Sequence, residues 1–217
     1  MNLSEFKLKS LGIDKEKFGE IYTFIDFGNV DYWFERDTRD FDDNNLSAGQ
    51  KLIVDLDKLT FFLKLFSEHK RFYFGLDPQN NKSLHLNIKA KSLFDKSITK
   101  PIQKIKHYLK NDAELKNNTR SLCEDLRGQY IYIPKCNFDV EVCVDAIRLL
   151  EKYDTFCLLS SDADFAALAE FLKRRGKKFI LISAGYVSHW LKDKADLNIN
   201  AQKIKKDIVV IKQKPRL

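Results

Sequence analysis

Two carboxylates one residue apart, Asp162 and Asp164, stand where an apolar run breaks off in the stretch LLSSDADFAALAEFL, residues 158–172. A helical pattern follows them at once. Asp26 occupies the same kind of place, straight after the strand-like run IYTFI. Asp139 sits where a strand and turn enter a helix, and Asp145 lies about two turns further along it. A lone Asp at a helix start is ordinarily an N-cap. Acids at all three strand-to-helix junctions point instead to a shared site. In a parallel sheet the C-terminal strand ends lie along one edge, and ligands bind beyond it. Carboxylates gathered there repel one another unless cations sit between them.

Ligands of oxygen alone, without His or Cys, suit Mg²⁺ or Mn²⁺. Such an ion lowers the pKa of a bound water and offsets charge on a phosphate during in-line displacement. That is the chemistry of metal-dependent nucleases and phosphatases. Around the acids, Asn29 is placed to fix a water or a ligand carboxylate, and Ser160 or Ser161 to hold a phosphate oxygen. Tyr32, close in sequence to Asp26, offers a ring for base stacking. Trp33 and Trp190 read as core or rim residues. Glu141 and Asp145, four apart, share a helix face.

Other chemistries lack their residues. There is no GxGxxG, no Walker loop and no GxSxG elbow. None of His69, His85, His107 and His189 lies next to the acids, so a Ser/His or Cys/His mechanism has little support. Cys123, Cys136, Cys143 and Cys157 form no CxxC pair, which speaks against structural zinc.

The elements that must position the acids are legible as periodicities. Strands are expected at 21–25, 71–77, 101–109, 129–135, 155–160, 177–183 and 207–212. Helices are expected at 29–36, 52–68, 82–97, 138–153, 163–176 and 188–196. Residues 36–50 read as an acidic loop, and the polar segment 110–129 as an insertion with a helical excursion. The alternation predicts an α/β fold in one domain over 1–217: a mostly parallel sheet covered on both faces.

At 217 residues, 44% hydrophobic and 32% charged, the chain has the composition of a soluble globular protein. No apolar run approaches the roughly 20 residues of a membrane helix. The N-terminus lacks a signal-peptide core, so the cytoplasm is the expected compartment and no membrane partner is expected. The net charge of +7 is uneven: residues 82–120 carry ten Lys/Arg against three acids, and residues 203–217 six against one. A basic segment beside an acidic body suits a polyanion, although a solvated lysine face reads the same way.

These residues resemble a known family. I-D-F-G-N at 25–29, Lys135, Asp139 and Asp145 in a K-x3-D-x5-D spacing, and S-x-D-x-D-F at 160–165 occur in that order. They resemble the NYN domain, a branch of the PIN-like metal-dependent ribonucleases, over about residues 21–200. The resemblance implies a Rossmann-like three-layer α/β/α sandwich with Asp26, Asp139 and Asp162 around a divalent metal. It implies Asp164 and Asp145 in support and Asn29 in polar contact. Ala163 stands where family members often have Gly, and the 36–50 and 82–129 regions are longer than in a compact member.

The expected activity is hydrolysis of RNA phosphodiesters with Mg²⁺ or Mn²⁺, RNA being preferred to DNA as the partner. Lys135 would neutralise a phosphate oxygen, and the lysines of 82–110, Lys104 and Lys106 among them, would hold the backbone. Two alternatives stay open: a catalytically inactive RNA-binding or regulatory module, and a small-molecule phosphohydrolase. A homodimer or a protein partner is left open as well.

Overall fold

The computed structural model describes residues 3–109 and 121–213. Its centre is a six-stranded sheet in the order β10-β9-β8-β1-β3-β4. The strands are β1 (Ile21–Asp26), β3 (His69–Leu76), β4 (Lys96–Pro101), β8 (Thr155–Leu159), β9 (Lys178–Ser183) and β10 (Leu197–Asn200). Every neighbouring pair is parallel. The expected α/β class with a largely parallel sheet is what the chain forms.

The strand runs are apolar because both faces are covered. All five residues of β8, TFCLL, are buried. On one face Ile21, Ile25, Phe72, Leu159 and Ile182 join Leu59, Phe62 and Leu63 of α4 (Leu56–Leu63). On the other, Phe24, Tyr73, Leu158 and Leu181 join two further helices. These are α6 (Asp139–Arg148), through Val142 and Ala146, and α7 (Ala166–Arg174), through Leu168 and Leu172. The remaining α-helices of the described residues are α1 (Leu3–Ser10), α2 (Lys15–Phe18), α3 (Phe27–Val30), α5 (Asn81–Leu93), α8 (His189–Lys192) and α9 (Lys205–Ile208). Among the described residues no helix is long and apolar enough to cross a membrane.

Several boundaries differ from the sequence reading. The helix expected at 52–68 begins only after Asp55, whose carboxylate caps it by accepting from the Lys58 N–H at 3.1 Å. Residues 50–54 are instead strand β2 (Gln50–Val54), antiparallel to β11 (Val209–Gln213). Leu52, Leu56 and Leu59 fit a helical period across the break, so periodicity alone merges the two elements. The helix expected at 82–97 stops at Leu93, and β4 follows as the edge strand of the main sheet. The strand expected at 101–109 is β5 (Gln103–Tyr108), which stands outside the parallel sheet. With β6 (Cys123–Asp125) and β7 (Gly128–Lys135) it forms a separate antiparallel sheet, ordered β5-β7-β6. Of the segment 110–129, residues 110–120 lie outside the described residues.

The order of strands matters for function. From β1 the chain builds outward through β3 and β4, then returns to add β8, β9 and β10 on the other side. The connections therefore leave β1 and β8 in opposite directions. A crevice opens at their C-terminal ends, where open α/β sheets bind ligands. Gly75 of β3 sits against this crevice. A Cβ there would lie 2.8 Å from the Cys136 Cβ and 2.9 Å from the Ile102 Cγ1. Gly75→Ala would push away the turn that leads to Asp139. We expect it to destabilise the fold by about 1–3 kcal/mol, as overpacking does. Urea unfolding at neutral pH measures this.

Candidate active site

Asp26 ends β1, and the single turn of α3 follows it. β8, hydrogen-bonded beside β1, ends one residue short of Ser160. The Ser160 side chain is fully buried, and its Oγ donates to the Asp26 Oδ2 at 3.0 Å. The same Oγ accepts the Asp162 N–H at 3.1 Å. One hydroxyl thus ties the end of β1 to the loop after β8. Ser161 ties that loop to the next strand. Its Oγ donates to the Ala184 carbonyl at 2.8 Å and accepts the Ala184 N–H at 3.3 Å. Asn29 closes the circuit: its Oδ1 accepts from the Ser161 N–H and from the Trp33 indole, each at 3.0 Å. The Ser161 Oγ and the Asn29 Oδ1 are both committed to these scaffold bonds.

Asp162 is an N-cap: its Oδ1 accepts the Asp164 N–H at 3.1 Å. Asp139 opens α6, oriented by Asn137. The Asn137 Nδ2 donates to the Asp139 Oδ2, and its Oδ1 accepts the Asp139 N–H, both at 2.7 Å. Asn137 was not singled out from the sequence. Its signal was the N-x-D spacing before a helix, an Asx turn.

Carboxylate oxygens of Asp139, Asp162 and Asp164 all lie within 4.8 Å of one another. Asp26 lines the same cavity, of about 350 Å³, with Asn29, Lys135 and Asp139. Burial pushes the Asp26 pKa up to about 6, and the negative charges of Asp139 and Asp162 add to the shift, against the Ser160 hydrogen bond. Burial also raises the Asp139 pKa, joined by repulsion from Asp162 and Asp164. Among the described residues, no salt bridge reaches Asp26, Asp139, Asp162 or Asp164. Lys100, which draws the Asp139 pKa the other way, is committed to Glu141 at 2.8 Å.

Asp145 does not join the group. Six residues along α6 carry it about 9 Å from Asp139. There it accepts from Arg71 at 2.6 Å and from the Tyr73 hydroxyl at 2.9 Å. Lys135 is exposed at the end of β7 and lines the cavity. Lys104 and Lys106 lie on β5 and are not among the cavity's lining residues. Lys106 is paired with Asp125.

The model of the NYN domain matches residues 20–202. The chain belongs to the NYN domain family. An NYN domain carries a PIN-like nuclease fold, and the acidic cluster stands at the crevice of this one. A crystal structure of a protein of unknown function from Vibrio parahaemolyticus shares the fold. Its TM-score is 0.58 at 18% identity, covering 88% of this chain and 96% of that one. No curated protein matches the chain in sequence.

The donor set of this NYN domain fits a hard divalent cation. It is all carboxylate, its oxygens converge, and its charge has no counter-ion in a salt bridge among the described residues. The raised pKa of Asp26 has a consequence for the metal-free protein. The unfolded carboxyl titrates near 3.9, so between about pH 4 and pH 6 the unfolded state ionises while the folded one resists. Stability is therefore lost as pH rises through this window, by up to about 3 kcal/mol. Asp26→Asn removes that slope. We expect the variant to gain on the parent protein from pH 4 to pH 7 in denaturant titrations with EDTA. An unchanged gap between the two would disprove the assignment.

Proposed function

We propose that the chain is a metal-dependent ribonuclease that hydrolyses RNA phosphodiester bonds. The observation that carries this reading is the convergence of Asp139, Asp162 and Asp164 at the crevice of an NYN domain, with Asp26 lining the same cavity. These carboxylates would hold Mg²⁺ or Mn²⁺, which when bound would supply Lewis-acid charge for the phosphate and for activating a water.

The residues of the chain divide the remaining work. Asp139, Asp162 and Asp164 furnish the converging oxygens, and Asp26 completes the set. Ser160 holds Asp26 in one orientation through the hydrogen bond from its Oγ. Asn137 does the same for Asp139. Asn29 and Ser161 keep the loop that carries Asp162 and Asp164 against α3 and β9. Lys135, at the rim, binds a phosphate oxygen of the strand. Asp145 acts at one remove, anchoring α6 to β3 through Arg71 and Tyr73.

Cleavage of end-labelled single-stranded RNA with Mn²⁺ or Mg²⁺, beside matched DNA, tests the reading. We expect RNA to be cut, and EDTA to stop it. Asp162→Asn should reduce the rate by more than the roughly 10–100-fold that loss of an outer-shell metal partner costs. Cleavage that persists in Asp162→Asn, or in EDTA, refutes the metal site.

Binding supplies a separate check. With Asp162→Asn protein, RNA affinity should fall as salt rises, with a logarithmic slope of about −0.7 per phosphate contact. Lys135→Ala should make that slope shallower by about 0.7. An identical slope in the two proteins removes Lys135 from the phosphate path.

A further inference from the structure

A second cavity adjoins the first. Its volume is about 410 Å³, and Asn29 and Tyr32 line both. Tyr32 is 57% exposed. Trp33, by contrast, is 9% exposed, and its indole N–H is held by Asn29. It forms a rigid part of the second cavity's lining.

The polar groups of this cavity differ from those of the first. Asp37 is neutralised by Lys205 at 2.7 Å and accepts from the Gln202 amide at 3.1 Å. That leaves the Gln202 Oε1 without a hydrogen bond among the described residues. Arg36 and its neighbour Glu35, both in the lining, are exposed and form no salt bridge among the described residues, so the cavity offers a guanidinium for a phosphate and a carboxylate able to accept from a base's amino group. A flat aromatic face, an amide edge and a free guanidinium suit a nucleobase and its phosphate. They do not suit a metal. Aromatic stacking serves any base, and a guanidinium matches a phosphate in two-point geometry.

We propose that this second cavity is a nucleotide subsite. It takes the nucleotide next to the scissile phosphate, with the base against Tyr32 and a phosphate on Arg36. The proposal rests on the nuclease reading for its place along the strand, but binding there needs no catalysis. The same chemistry would hold a free mononucleotide, and the two sources call for separate arms in the test.

Trp190→Phe leaves Trp33 as the single tryptophan, so its emission reports on the cavity. In EDTA, this protein is titrated with AMP, UMP, ribose 5-phosphate and inorganic phosphate. We expect the mononucleotides to change the emission and to bind about tenfold more tightly than ribose 5-phosphate. Tyr32→Ala should lose that margin and Tyr32→Phe should keep it. A labelled single-stranded oligonucleotide, also in EDTA, should bind about tenfold more weakly to Tyr32→Ala. Ribose 5-phosphate binding as well as AMP, or Tyr32→Ala binding AMP normally, overturns the subsite. Loss of AMP binding in Tyr32→Ala with unchanged oligonucleotide affinity overturns the strand role and leaves a free-nucleotide site. A protein that passes these arms yet cuts no RNA keeps the subsite and sinks the nuclease reading. One that cuts RNA while failing them does the reverse.

Discussion

The hydroxyl of Ser160 is the joint on which the crevice depends. It donates to Asp26 at the end of β1 and accepts the Asp162 N–H in the loop after β8. Those strands are the two at which the chain reverses its direction of building. Side by side, they leave their C-terminal ends with no helix directly between them. A buried polar group without a partner costs about 1–3 kcal/mol, so Ser160 is held by both of its neighbours as firmly as it holds them. Asn29 and Ser161 repeat the arrangement one step outward, towards α3 and β9.

What this scaffold holds together is electrostatically unfavourable. Asp26, Asp139 and Asp162 line one opening with Asp164 beside them, and burial and repulsion both raise the pKa values of Asp26 and Asp139. The favourable terms lie elsewhere in the molecule: in the covered faces of β1, β8 and β9 and in the hydrogen bonds of Asn137, Ser160 and Ser161. A fold that carries such repulsion is pre-arranged for a positive charge. The same acids spaced along a flexible chain would separate. Here the sheet edge prevents it.

Asp145 shows how position decides between roles. It has the residue type of a ligand and lies on the same helix as Asp139. The helical rise carries it to Arg71 and Tyr73, where it becomes an anchor between α6 and β3. Asp164 moves the other way: a neighbour in sequence to Asp162, it brings an oxygen within 4.8 Å of both Asp162 and Asp139. Lys106 bears a charge that the sequence assigns to a phosphate, and in the fold it meets Asp125.

The strands β1, β8 and β9 were legible in the sequence because a strand covered on both faces must be apolar throughout. Asp26 and Asp162 were legible for the complementary reason that an acid just after such a strand has to be near an end; Asp139 follows β7, outside the parallel sheet, and was legible as an acid at a helix start. β4 was not, since KSITKP is a half-covered edge strand with no clean period. β2 was hidden because its leucine spacing continues into α4. The second cavity and the separate β5-β7-β6 sheet were out of reach, and Asn137 showed only as an N-x-D spacing before a helix. By itself the sequence determined the α/β class and the acidic strand ends, both of which follow from local pattern and burial. Only the tertiary structure decided which acids converge, which lysines stay free and where Tyr32 stands. Those are distances between residues up to 136 positions apart, such as Asp26 and Asp162, and no local pattern encodes them.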